Sequence, residues 1–237
     1  MSVNRFCILC SRRVISVATQ IQSMKGTSVT IKLYGMPLSN YYNMVKTVLL
    51  EKGMDFEEVL VLPNQESDYL VKSPMGKVPA METEQGFLTE TGVMIDYLDS
   101  LGQGESFYPA DPFEKAKVQE IIRYLELYIE LPARRLYGEV FFGRPATDEL
   151  KKEVKPQLEK GFTSFNRLAK FSPYLCGDQL TYADFYFRFS MNLAMTVCKR
   201  GLGWDVAAEM PRNNELIARL DERASIMRVL ADQKKKG

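Results

Sequence analysis

The chain is 237 residues long, 46% hydrophobic and 26% charged, which suffices for a sizeable core in one large domain or two small ones and excludes a disordered or fibrous protein. It contains no histidine. That rules out Ser-His and Cys-His nucleophile pairs, histidine-ligated zinc and an imidazole base, so its chemistry must run on hydroxyls, carboxylates, amines or a borrowed reactive group.

A formal charge of +1, from 31 basic and 30 acidic residues, gives no electrostatic case for nucleic acid as a partner. Residues 1–28 carry Arg5, Arg12, Arg13 and Lys25 but no acid, and the first acidic residue is Glu51. This basic leader is expected to be disordered or not native; a transit peptide, or an upstream start with Met24 as the real initiator, are the alternatives. Cys7-Ile8-Leu9-Cys10 has the spacing of redox and zinc sites, yet it precedes any strand and has no second ligand pair. The four cysteines are too few for a disulfide framework, which suits a reducing compartment and a cytoplasmic location. No run of 18 apolar residues exists, so no membrane-spanning helix is expected.

From residue 29 the pattern alternates. Val29–Tyr34 reads as a strand closed by Gly35-Met36-Pro37. Ser39 or Asn40 then caps a helix with apolar positions Tyr41, Met44, Val45, Val48 and Leu49, ending at Gly53. Phe56–Leu62 is a second strand, Ser67–Val71 a short helix, and Val78–Thr83 and Gly86–Leu88 two more strands. Thr89 or Glu90 opens a helix whose inward positions are Met94, Tyr97, Leu98 and Leu101.

Strands then stop. Residues 103–111 read as a linker, and Asp111 caps a long helix with Pro112 at its first position and a buried stripe of Val118, Ile121, Ile122, Leu125, Tyr128 and Ile129. Further helices are expected at about 147–171, bent or restarted at Pro156, and at about 181–198 and 212–233. The expected domains are a leader (1–28), a small α/β domain (29–102) and an all-helical domain (112–237).

Specific residues narrow the function. Ser73-Pro74-Met75-Gly76-Lys77-Val78-Pro79-Ala80-Met81, then Phe87-Leu88-Thr89-Glu90-Thr91 and Ile95-Asp96-Tyr97-Leu98, resemble the thioredoxin-like domain of glutathione transferases. In the helical half, Gly177-Asp178-Gln179-Leu180-Thr181-Tyr182-Ala183-Asp184 resembles a second element of that family. The resemblance spans roughly residues 29–231. It implies an α/β thioredoxin-like domain followed by a helical bundle, glutathione as co-substrate with no metal, a hydrophobic electrophile as second substrate, and a homodimer.

It also implies site residues. Val78 before a cis Pro79 would anchor the glutathione backbone, Glu90 and Thr91 would hold its γ-glutamyl end at a helix start, and Lys77 with the Asn64-Gln65 loop would face its glycine carboxylate. Thr181 and Asp184 read as a structural capping box. The thiol needs a hydroxyl donor just after the first strand. Ser39 is the candidate, with Tyr34 as the alternative and a site lacking any activating hydroxyl as a third reading; Asn40 is a possible second donor. The co-substrate is expected between the domains, against Met36, Leu38, Tyr124 and Tyr128. The same pattern allows a noncatalytic module for protein interaction or regulation.

Overall fold

The structure is a computed structural model that describes residues 30–236. The leader and the Cys7/Cys10 pair lie outside the described residues. Four strands form one mixed sheet in the order β2-β1-β3-β4: β1 (Ile31–Gly35), β2 (Phe56–Leu60), β3 (Ala80–Thr83) and β4 (Gly86–Leu88). β1 runs parallel to β2, with Ile31 opposite Phe56, and antiparallel to β3, with Tyr34 opposite Ala80. Met81 of β3 faces Leu88 of β4.

The β1–β2 crossover is α1 (Asn40–Glu51). Of its predicted apolar stripe, Met44, Val45, Val48 and Leu49 are fully buried and Tyr41 is partly buried. A short α2 (Ser67–Leu70) and α3 (Thr91–Ser100) complete this half, and α1 packs on α3. The edges of β2 and β3 fall two residues inside the predicted spans, at Leu60 and Ala80. At the second of these, Val78-Pro79 is a cis peptide and Pro79 has no N–H to donate to a ladder.

The helical half begins at α4 (Pro112–Tyr124), where Asp111 accepts from the N–H groups of Phe113 and Glu114, both at 2.9 Å. The predicted long helix then widens into a π-helical stretch, Leu125–Glu130, before α5 (Leu131–Arg134). Pro132 stands four residues after Tyr128 and cannot give it an i→i−4 hydrogen bond, so the turn opens. The widening takes Tyr128, predicted as buried, to 48% exposure. After α6 (Tyr137–Phe142), helix α7 (Asp148–Leu168) runs unbroken through Pro156, contrary to the predicted bend or restart. Pro156 and Lys152, whose carbonyl it leaves free, are both exposed, so that carbonyl is on the solvent side of the helix.

Helix α8 (Tyr182–Leu202) is the core of this half, with every residue from Tyr182 to Met191 buried. Asp184 starts it: one carboxylate oxygen accepts from Thr181 N–H at 2.8 Å, the other from Leu175 N–H at 2.9 Å. Burial pushes its carboxyl up to about 6, against these hydrogen bonds. The predicted last helix is two, α10 (Pro211–Asp221) and α11 (Ala224–Lys236), preceded by a short α9 (Val206–Glu209). No helix of the described residues is long and apolar enough to cross a membrane.

A buried lysine joins the two halves. Lys46 of α1 is 1% exposed and reaches Glu58 of β2 at 2.7 Å and Asp232 of α11 at 2.8 Å. Burial raises the Glu58 carboxyl, but hydrogen bonds from Lys46 and Tyr42 outweigh it and hold it low; the Lys46 hydrogen bond lowers Asp232. Carboxylates depressed on folding stabilise above their unfolded pKa values and lose that contribution as pH falls through the folded ones. Thermal melts should therefore show stability falling below about pH 4.5, the ordinary carboxylate range, and Lys46→Met should flatten that acid limb. An unchanged limb would remove this cluster from the account of acid stability.

Candidate functional site

Topology brings the candidate residues to one end of the sheet. β1 and β2 end there, β3 begins there and β4 ends there. Ser39 follows β1, the 61–66 loop follows β2, Lys77 and Val78 precede β3, and Glu90-Thr91 follow β4. Continuing the register of Met81 opposite Leu88 carries Glu90 towards Pro79 and Thr91 towards Val78.

Ser39 is the N-cap of α1. Its Oγ accepts from the Tyr42 N–H at 3.2 Å, and its own N–H donates to Met36 O at 3.0 Å, closing the turn. The side chain is part-exposed. A cap uses the hydroxyl only as acceptor, so its proton is still available for a hydrogen bond to an anion at the helix start. Tyr34 differs. It is buried in a cluster with Tyr69 and Ala80, its hydroxyl donates to Glu82, and burial together with that carboxylate raises its pKa to about 12.

The loop before β3 is rigidly held. Ser73 Oγ donates to Lys77 O at 2.8 Å and accepts from Lys77 N–H at 3.2 Å, while Tyr69 Oη donates to the same carbonyl at 2.9 Å. Gly76 has φ +62°, and a Cβ there would lie 2.1 Å from Asn64 O, so only glycine lets the two loops meet. Val78 lies beyond the end of the β3 ladder. Lys77 is exposed and has no ion pair among the described residues. The Asn64 amide holds the loop, donating one N–H to Leu62 O at 2.9 Å and accepting from Glu66 N–H at 3.0 Å.

Glu90 has φ 65°, uncommon for a residue with a Cβ, and strain of this kind concentrates at ligand sites. The first intrahelical bond of α3 is from Met94 N–H to Glu90 O, so the N–H groups of the preceding turn face outwards. Arg123 of α4 lies over that turn, 3.2 Å from where a Cβ on Gly92 would be.

Two expectations change. Tyr124 and Tyr128, in edge-to-face contact at 5.0 Å, line a cavity of about 450 Å³ with Gln157, Lys160 and Ser164, in the helical half and away from Met36 and Leu38. The π-helical turn rotates Tyr128 to that side. Asn40 is buried, with one amide N–H given to Glu130 and its oxygen to Arg134, so its side chain is committed to the helical half. Sequence reasoning missed these two partners. The signal was a carboxylate, Glu130, flanked by Tyr128-Ile129 and Leu131-Pro132, with an arginine four residues on. A larger hollow of about 680 Å³, beside Arg219, Arg223 and Arg228, adjoins Leu50 and Glu51 at the far end of α1 from Ser39.

Comparisons with known proteins identify the family. The chain matches the glutathione S-transferase N-terminal domain over residues 33–106 and the C-terminal domain over 134–233. It is 46% identical over 203 residues to a glutathione S-transferase of Pseudomonas putida strain F1, covering 86% of this chain and 92% of that one. The chain belongs to the glutathione S-transferase family. It is thus a member of an enzyme family that uses glutathione as substrate. Its fold matches poplar glutathione transferase F2 (Populus trichocarpa) with a TM-score of 0.73 at 22% identity, over 86% of this chain and 99% of that one. It also shares 29% identity with elongation factor 1-gamma of Schizosaccharomyces pombe, over 61% of this chain and 36% of that protein.

Proposed function

We propose that the protein binds glutathione at this end of the sheet, ionises its thiol against Ser39, and adds the thiolate to a hydrophobic electrophile. The observation that supports this most is a part-exposed N-capping hydroxyl with an unused proton, at the same sheet end as an unpaired lysine and an open helix start.

A free thiol with a pKa near 8.5 is only about 3% ionised at pH 7. Lowering that value by about two units takes roughly 2.7 kcal/mol in favour of the anion, within reach of one charge-assisted hydrogen bond plus a helix N-terminus. The proton leaves to water, the sulfur pair forms the new S–C bond, and the electrophile releases its leaving group or takes up a proton. Val78 supplies backbone pairing, Thr91 and Glu90 take the γ-glutamyl carboxylate and ammonium, Pro79 shapes the turn, and Lys77 takes the glycine carboxylate. Exposed Leu38, beside Ser39, offers apolar surface to the second substrate. We assign the protein to the cytoplasm as a homodimer; the unpaired thiols Cys176 and Cys198 suit a reducing compartment.

A second reading, a noncatalytic interaction module, draws on the likeness to elongation factor 1-gamma. Calorimetric titration separates the two. Glutathione should bind in the micromolar to millimolar range, and Lys77→Ala should weaken it about fivefold, the loss of one exposed charge-assisted contact. No heat of binding at millimolar glutathione would remove the enzymatic reading.

A further inference from the structure

Asn40, the first residue of α1, is held by the helical domain. Its Nδ2 donates to Glu130 Oε1 at 3.1 Å, its Oδ1 accepts from the Arg134 guanidinium at 3.0 Å, and Arg134 also pairs with Glu130. The three side chains close a ring of hydrogen bonds. Arg134 lies between two aromatic faces, 5.0 Å from the centroid of Tyr41 and 4.9 Å from that of Tyr137, and Tyr137 Oη donates to Glu130 at 3.3 Å. The guanidinium plane is therefore fixed from both sides.

Glu130 is 0% exposed, and among the described residues neither its second oxygen Oε2 nor the buried Nε of Arg134 has a hydrogen-bond partner. Burying the Glu130 carboxylate against a part-exposed guanidinium and leaving polar atoms unmet costs stability compared with an apolar contact of the same shape. A cluster that costs stability and is placed against the residue next to Ser39 points to a role in geometry.

We propose that Glu130 and Arg134 are positioning residues that act through Asn40 to fix the start of α1, and with it the Ser39 hydroxyl and the helix N–H groups, relative to the glutathione sulfur. This rests on the reading of Ser39 as the thiol's donor. The π-helical turn is the means: by widening the helix just before Pro132, it presents Glu130 to Asn40. Donor geometry at a developing charge tolerates little displacement, so a loosened helix start costs rate more than binding. The charged and titratable groups around the cluster are Tyr41 on α1, Glu126 and Glu130 in the π turn, Arg134 on α5 and Tyr137 on α6.

The test is the pKa of the glutathione thiol bound to the full chain, read from thiolate ultraviolet absorbance, in Asn40→Ala, Glu130→Gln, the double variant and Ser39→Ala. Each single change at 40 or 130 should raise the bound-thiol pKa by about half to one unit and leave KM for glutathione within about twofold. The double variant should be no worse than the more affected single one, because both cut the same link. Arg134→Lys, which keeps the charge but cannot bridge Asn40 and Glu130 at once, should behave like Asn40→Ala. Lower melting temperatures with an unchanged thiol pKa would make the cluster purely structural and overturn the proposal. If Ser39→Ala leaves the thiol pKa unchanged, the reading of Ser39 falls; if Ser39→Ala raises it while the others do not, only the link falls. Should Glu130→Gln fail to fold, Asn40→Ala decides alone, since it leaves the Glu130–Arg134 pair in place.

Discussion

Ser39→Ala should cut turnover about tenfold near pH 6, with the deficit closing at about pH 7.5 and reversing above it. The direction and size come from two opposing effects. With a bound-thiol pKa of about 6.5 the thiolate is roughly 70-fold more abundant near pH 6 than with 8.5, but a less basic thiolate is a weaker nucleophile by about eightfold over two units. The first effect wins at low pH and vanishes at high pH, where the second remains and makes the variant the faster form. Glutathione binding should change little, because the backbone and terminal contacts at Val78, Thr91 and Lys77 remain. Steady-state rates across the pH range, with binding measured separately, check both statements; a uniform loss at all pH values would place Ser39 in positioning and not in ionisation. The remaining alternative, Tyr34, has its proton committed to Glu82 and a pKa pushed up to about 12, so Tyr34→Phe should leave the low-pH rate within about twofold.

Gly161→Ala should destabilise the protein by about 3 kcal/mol, or about 8 °C in melting temperature for a chain of this size. In an ordinary helix interior the same change would stabilise by about 1 kcal/mol. Here packing reverses the sign. A Cβ on Gly161 would sit 2.1 Å from Tyr128 O and 2.9 Å from Tyr128 C, and both are backbone atoms of the π-helical segment packed on α7. Neither can rotate away, so one helix must shift. Since that segment also carries Glu130, the variant should lose activity as well as stability. A melting temperature equal to or above the wild type would contradict the packing account.

The outline of the fold was legible because its signals are local. Alternation at β1, breakers at Gly35-Met36-Pro37, the Asp111-Pro112 helix start and the Thr181/Asp184 box each need only neighbouring residues, and each element formed where they pointed. The helical breaks were misjudged for the opposite reason. Pro156 sits in an unbroken helix with its face exposed, whereas Pro132, whose effect was not foreseen, is buried and follows a π turn whose Tyr128 carbonyl is packed against Gly161. Exposure of a face is a tertiary property, and sequence alone does not carry it.

The candidate site divides along the same line. Ser39, Lys77, Val78, Pro79, Glu90 and Thr91 share one sheet end, as motif order and strand register together require. Their partners across the domain boundary were hidden, because Asn40 and Glu130 are 90 residues apart and meet only after both halves fold. The cavity that Tyr124 and Tyr128 share in the helical half was not foreseen for a related reason: the π turn begins between them, and helical periodicity assumes that no such turn occurs.

A chain with no histidine has no imidazole to shape its pH dependence, so the pH response of the reaction should be that of the borrowed thiol. The most direct measurement is therefore the ultraviolet titration of glutathione bound to the wild-type protein and to Ser39→Ala. The account predicts a bound-thiol pKa about two units below the free value in the wild type and near the free value in the variant. A wild-type value equal to that of free glutathione would contradict it.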